Sequence, residues 1–301
     1  MSSTVEGVNR VPDAGVESPE EPARLRRGIT GTLLFFFILG DVLGAGIYAL
    51  IGQIAGETGG AIWAPLLVAL LLALLTAGSY AELVTKYPRA GGSAVFAERA
   101  YHSHFVSFLV GYCMLGAGVV SAAGLSHAFA GDYLVTFIDI SPQLGTVLFL
   151  ILIGVVNAWG IKESMRANLL MTCIEFSGLI LILVVVGIFV GGGGGEPGRA
   201  LEFADGKAPI GAIFAGALLA FYSFVGFETS ANVAEEMDDP SRIYPKALFS
   251  ALIVAGLMYV LVGTAAMIAA PVEDLAESTG PFLTVVEATG TAMPDWIFSL
   301  I

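Results

Sequence analysis

Charge is what this 301-residue chain has least of: Asp, Glu, Lys and Arg together make up 13% of it. A soluble domain carries about twice that share on its surface. The charge present leans acidic, with 26 carboxylates against 13 Lys and Arg. Such a balance excludes a nucleic-acid partner, whose phosphates demand a basic surface. Cysteine is nearly absent, and Cys113 and Cys173 both sit inside apolar runs. No disulfide framework or zinc site is expected from them, and both read as small core residues. Neither His-Glu-x-x-His nor a paired Ser and His is present. An intramembrane enzyme is therefore not expected, nor any cofactor or metal. The short alternating apolar and polar segments of an outer-membrane barrel are missing too.

What the chain has is long apolar runs: hydrophobic residues are 56% of it, with a mean hydropathy of +0.84. About 20 consecutive apolar residues cross the hydrocarbon layer as a helix, and lipid leaves no partner for an open backbone. Seven blocks qualify, at 31–54, 61–84, 105–130, 144–161, 169–190, 210–231 and 247–270. The segment 296–301 reads as the start of an eighth, cut off by the end of the chain. The expected fold class is an all-α polytopic membrane protein. The first 28 residues are polar, rich in Glu and Pro, and lack the apolar core of a cleavable signal peptide; a disordered tail is expected there. With that tail inside, eleven of the 13 Lys and Arg fall on inner segments, and only Arg199 and Lys207 fall outside. This asymmetry sets the N-terminus in the cytoplasm of a multi-pass plasma-membrane protein.

Glycine marks the interesting places. Residues 191–195 are five consecutive glycines, a run with no preferred conformation that reads as a flexible outer connector. It divides the chain into a tail (1–28), a first half of five spans (29–190), a connector (191–207) and an incomplete second half (208–301). Gly44 and Gly46 lie near the middle of span one, and Gly226, with Ser223 close by, lies in span six. Mid-span glycines serve close helix packing or an interruption of the helix. Interruptions at matching positions of two halves point to an inverted-repeat transporter, with solute held by the freed peptide groups.

Three stretches resemble a known family, the amino acid–polyamine–organocation (APC) permeases. Gly44-Ala45-Gly46-Ile47-Tyr48 is similar to the motif where the family's first helix unwinds. Tyr80-Ala81-Glu82-Leu83 through Tyr87-Pro88-Arg89-Ala90-Gly91-Gly92-Ser93 resembles its inner loop after span two. Tyr222-Ser223-Phe224-Val225-Gly226-Phe227-Glu228, with Glu235-Glu236 and Asp239-Pro240-Ser241-Arg242-Ile243-Tyr244-Pro245-Lys246-Ala247 beyond it, resembles its sixth span and following loop. The resemblance implies a LeuT-like five-plus-five inverted repeat and amino-acid transport by alternating access, coupled to protons or sodium or run as exchange. A receptor that binds an amino acid without moving it shares the same site and stays open as the alternative.

A zwitterionic substrate needs donors for its carboxylate and acceptors for its ammonium. The amides of Gly44, Ala45, Gly46 and Ile47, at the start of a half-helix, are the expected donors. The backbone from Phe221 to Val225, ahead of Gly226, is the expected source of carbonyls. The resemblance makes Tyr222 and Phe224 gating aromatics, against plain packing. Three acids lie within spans: Asp41, Glu175 and Glu228. An ionised group at that depth costs at least ~2.5 kcal/mol, so each is a candidate for ion coupling or gating. Asp41 precedes Gly44 by three residues and falls on the same helix side. Glu175 falls where some proton-coupled members of the family place a lysine. The competing reading for each acid is a hydrogen bond to a neighbouring helix. Lone His127 in span three reads as an ordinary polar residue. The lipid bilayer is the remaining expected partner.

Overall fold

The computed structural model describes residues 28–44, 46–158, 161–291 and 295–299, and every regular element among them is helical. The tail expected over 1–28 lies outside the described residues except for Gly28, as does Ala45. The helices are α1 (Gly31–Leu43), α2 (Gly46–Thr58), α3 (Trp63–Lys86), α4 (Gly92–Tyr101), α5 (His104–Ala128), α6 (Pro142–Ala158), α7 (Ile161–Gly191), α8 (Pro209–Tyr222), α9 (Pro240–Ala269), α10 (Val272–Glu277), α11 (Pro281–Ala288) and α12 (Asp295–Ser299). A turn and a 3-10 helix, Phe227–Glu236, follow α8.

Local chemistry starts these helices where the sequence asks. Thr30 caps α1, its hydroxyl accepting from Leu33 N at 3.4 Å, and Ser103 caps α5 by accepting from Val106 N at 3.5 Å. Pro209 and Pro240 open α8 and α9 at positions where a missing N–H leaves no bond unmade. Among the described residues, five helical segments are long and apolar enough to cross a membrane. The pair α1 and α2, bent by 42° at its break, makes a sixth. The span expected over 144–161 is the 17-residue α6, which rises about 26 Å against a hydrocarbon layer of about 30 Å. The protein is thus an all-helical, multi-pass membrane protein.

The core gathers around α9, which packs on α1, α3 and α7, while α8 packs on α2 and α3. Small residues make the close approaches possible. Ala69, Ala73 and Ala77 of α3 and Ala251, Ala255 and Gly256 of α9 are all buried. A Cβ on Gly256 would stand 2.6 Å from Leu70 Cδ1. The faces turned to lipid are as apolar as the core: Phe105, Leu148, Leu218 and Leu257 are all exposed. Cys113 and Cys173, expected in the core, lie on such exposed faces. Lipid offers a thiol the same apolar setting as a core, so apolar flanks do not distinguish the two.

The glycine-rich connector is pinned rather than free. Glu196 N donates to Ile268 O at 2.9 Å, and Arg199 Nη1 donates to the carbonyls of Met267 (2.9 Å) and Ala270 (2.8 Å) at the end of α9. Ala204 N reaches Thr58 O at 3.0 Å, and Lys207 Nζ pairs with Glu57 Oε2 at 2.7 Å. The unmade carbonyls at the ends of α2 and α9 find their donors in the connector.

Candidate functional site

Span one stops being a helix after Leu43 and resumes at Gly46, and span six stops after Tyr222. The two breaks touch each other. A Cβ on Gly46 would stand 3.2 Å from Ser223 Cα. Gly226 has φ of +136°, a conformation left to glycine, and a Cβ there would run into the backbone carbonyl of Asp41. Two glycines from two spans therefore allow the broken segments to meet backbone to backbone.

Tyr259 of α9, wholly buried, fastens this meeting point. Its hydroxyl lies in bonding reach of the carbonyls of Val42 and Ser223, the latter at 3.1 Å. Its ring stands edge-on to Phe224 at 5.2 Å. One side chain of span seven thus reaches freed carbonyls of both broken spans. The carbonyls of Phe221 and Tyr222 accept from the amides of Phe224 and Val225 at 3.0 and 3.1 Å. Each carbonyl keeps a second lone pair.

Beside the breaks lies a cavity of about 410 Å³, walled by α1, α5 and span six; small-molecule sites hold about 300–1,000 Å³. Asp41, Gly44, Gly46, Tyr222, Gly226 and Glu228, all singled out in the sequence, line it. Three further lining residues carry hydroxyls to which the sequence reading gave no role. Ser121 of α5 accepts from the Tyr222 hydroxyl at 2.8 Å. Thr229 donates its hydroxyl toward the Asp41 carboxylate and the Gly226 carbonyl (2.7 Å for the latter). Ser223, only 2% exposed, has a hydroxyl with no partner among the described residues. Glu228 turns back on its own turn, Oε2 accepting from Gly226 N at 3.0 Å. Among the described residues, no Lys or Arg lines this cavity.

The remaining expected site residues lie elsewhere. Ile47 and Phe224 are fully buried in the core beside the break, and Phe221 packs half-buried against that core. Ala45 lies outside the described residues. Glu175, on α7, lines a separate cavity of about 470 Å³ with Tyr48, Tyr133 and Phe129. Its backbone carbonyl accepts from the Tyr48 hydroxyl at 2.8 Å. His127 sits 3.3 Å from the Thr146 hydroxyl. No group of three or more His, Cys, Asp and Glu among the described residues has the geometry to hold a metal ion.

Comparison with known proteins bears on this arrangement. A family model described as "Amino acid permease" matches residues 31–301. The chain is 28% identical to "Cationic amino acid transporter 4, vacuolar" of Arabidopsis thaliana, over 91% of this chain and 48% of that protein. It is 24% identical to "Branched-chain amino acid permease BcaP" of Bacillus subtilis, over 92% of this chain and 62% of the relative. It is 28% identical to "Low-affinity putrescine importer PlaP" of Escherichia coli, over 71% of this chain and 48% of the relative. The chain thus spans about half to three-fifths of the length of these relatives.

Proposed function

The chain belongs to the amino acid permease family, and on that premise we propose that it moves an amino acid across the membrane by alternating access, holding it where spans one and six break. The observation that carries this reading is Ser223, which lines the cavity and whose buried hydroxyl has no partner among the described residues. A buried hydroxyl without a partner costs about 1–3 kcal/mol. A substrate carboxylate or ammonium arriving there supplies the missing bond. The first amides of α2, from Gly46 and Ile47, have no partner within the helix at its N-terminus and favour the carboxylate. The carbonyls ending α8 and the Asp41 carboxylate favour the ammonium.

Two carboxylates, Asp41 and Glu228, with no cation opposite them, favour a substrate with net positive charge. A cationic amino acid fits that balance, and the relatives named as a cationic amino acid transporter and a putrescine importer agree with it. The breaks lie five spans apart, in spans one and six, which supports two inverted repeats meeting near the connector at 191–207. On the Lys and Arg asymmetry the N-terminus faces the cytoplasm of the cell membrane. Glu175, beside the second cavity, is our choice of coupling group for a proton.

The test is counterflow. The intact protein in liposomes preloaded with unlabelled arginine should accumulate labelled arginine from outside. A receptor that binds without moving its ligand would show saturable binding and no counterflow, and that result would overturn the reading.

A further inference from the structure

Where α1 and α9 begin, side by side at one edge of the membrane, they enclose a groove of about 390 Å³ that plays no part in the site above. Its walls include Thr32 and Phe35 from α1 and Arg242, Ile243, Lys246 and Ser250 from α9. We propose that this groove binds one anionic phospholipid of the adjoining leaflet, with its phosphate between Arg242 and Lys246 and an acyl chain along α9.

The first support is charge. Arg242 and Lys246 stand four residues apart on one exposed helix face, and among the described residues no carboxylate pairs with either. Glu235, Glu236, Asp238 and Asp239 all come before α9; Glu235 Oε2 accepts from Ala90 N at 3.3 Å, and Asp239 is engaged by the Ser241 hydroxyl at 2.7 Å. Two cations with no carboxylate partner among the described residues match a phosphodiester, and a zwitterionic head group fits them less well because it brings its own cation.

The second support is depth. The 30 residues of α9 rise about 45 Å, some 15 Å more than the hydrocarbon layer. That excess is shared between its ends, so Lys246 sits near the phosphate level and Ser250 just below it. On the same face follow Ile253, Leu257 and Leu261, exposed at 44%, 53% and 54%. Ile253 and Leu257 lie about 10 and 16 Å below Lys246 along the helix. This is the depth of one leaflet's acyl chains, about 15 Å. Phe35 offers the opposite apolar wall. A soluble anion would use the cations and leave this stripe unused, so the groove as a whole fits a lipid.

Native mass spectrometry of the intact protein, titrated with phosphatidylglycerol or phosphatidylcholine, reads the preference directly. The protein should take up one phosphatidylglycerol ahead of phosphatidylcholine. R242Q/K246Q should lose that preference, at about fivefold in affinity per cation removed, whereas R242K/K246R and K207Q should keep it. A wild-type protein that treats the two lipids alike, or an R242Q/K246Q protein that keeps the preference, would overturn the proposal. If the double variant does not purify, wild-type protein labelled by a phosphatidylglycerol with a photoreactive head group decides the matter. Label on residues 28–36 and 242–250 is expected, and label confined to other peptides refutes the site. Glycerol phosphate should not displace the bound lipid; displacement would mean that phosphate alone is recognised. None of these readouts depends on transport, so they stand or fall apart from the proposed function.

Discussion

Replacing Gly226 by alanine strikes the contact between the two breaks. The residue has φ of +136°, and a Cβ there meets the backbone carbonyl of Asp41, which belongs to a helix and has no side-chain freedom to yield. Holding a non-glycine residue in such a conformation costs on the order of 1–3 kcal/mol, and overpacking against fixed backbone adds about 1–3 kcal/mol. The strain is relieved only by moving span six away from span one, which opens the wall of the cavity. Even the lower sum, about 2 kcal/mol, lowers substrate affinity about 30-fold if the closed arrangement is the one that binds. The assay is equilibrium binding of labelled substrate to purified G226A protein, with its melting temperature measured alongside. G116A is the control: it lies on the neighbouring α5, and a Cβ there meets nothing within 4 Å. It should bind like wild type. G226A protein that binds with wild-type affinity would refute the reasoning, because the contact between breaks would then have no bearing on the site.

Three further outcomes follow from the same geometry. S223A should weaken substrate binding about five- to tenfold while the melting temperature of the empty protein holds or rises, since the hydroxyl removed has no partner to lose. Y259F should do the opposite first. It leaves the carbonyls of Val42 and Ser223 without their donor, at about 1–3 kcal/mol, and thermal melting in detergent should show a drop of several degrees. E175Q should abolish uptake driven by a pH gradient yet leave counterflow intact; unchanged pH-driven uptake would remove Glu175 from the coupling role.

The spans were legible because hydrocarbon imposes one requirement on every residue of a crossing helix, and 61–84 and 247–270 overlap α3 (Trp63–Lys86) and α9 (Pro240–Ala269) accordingly. The breaks were legible too, since Gly46 and Gly226 are what backbone contact between helices demands. What stayed hidden depends on direction. Ser121, Thr229 and Tyr259 are hydroxyl residues in or beside apolar stretches, and nothing in their spacing says whether a hydroxyl faces a cavity, a carbonyl or lipid. Thr229 follows Gly226 by three residues, one 3-10 turn, a clue usable only once the break's geometry is known. Lipid-facing and buried faces are equally apolar, which is why Cys113 and Cys173, read as core residues, lie instead on exposed faces. The connector was misjudged for a related reason. Its glycines suggest freedom, but Arg199 and Glu196 tie it down through long-range bonds to α9 that no local pattern announces.

The most direct test is a cryo-electron microscopy map of the intact protein with a cationic amino acid bound. The account predicts density between the start of α2 and the end of α8, within hydrogen-bond reach of the Ser223 hydroxyl and bordered by Asp41 and Thr229. Density for the ligand in another place, or spans one and six running unbroken past each other, would contradict it.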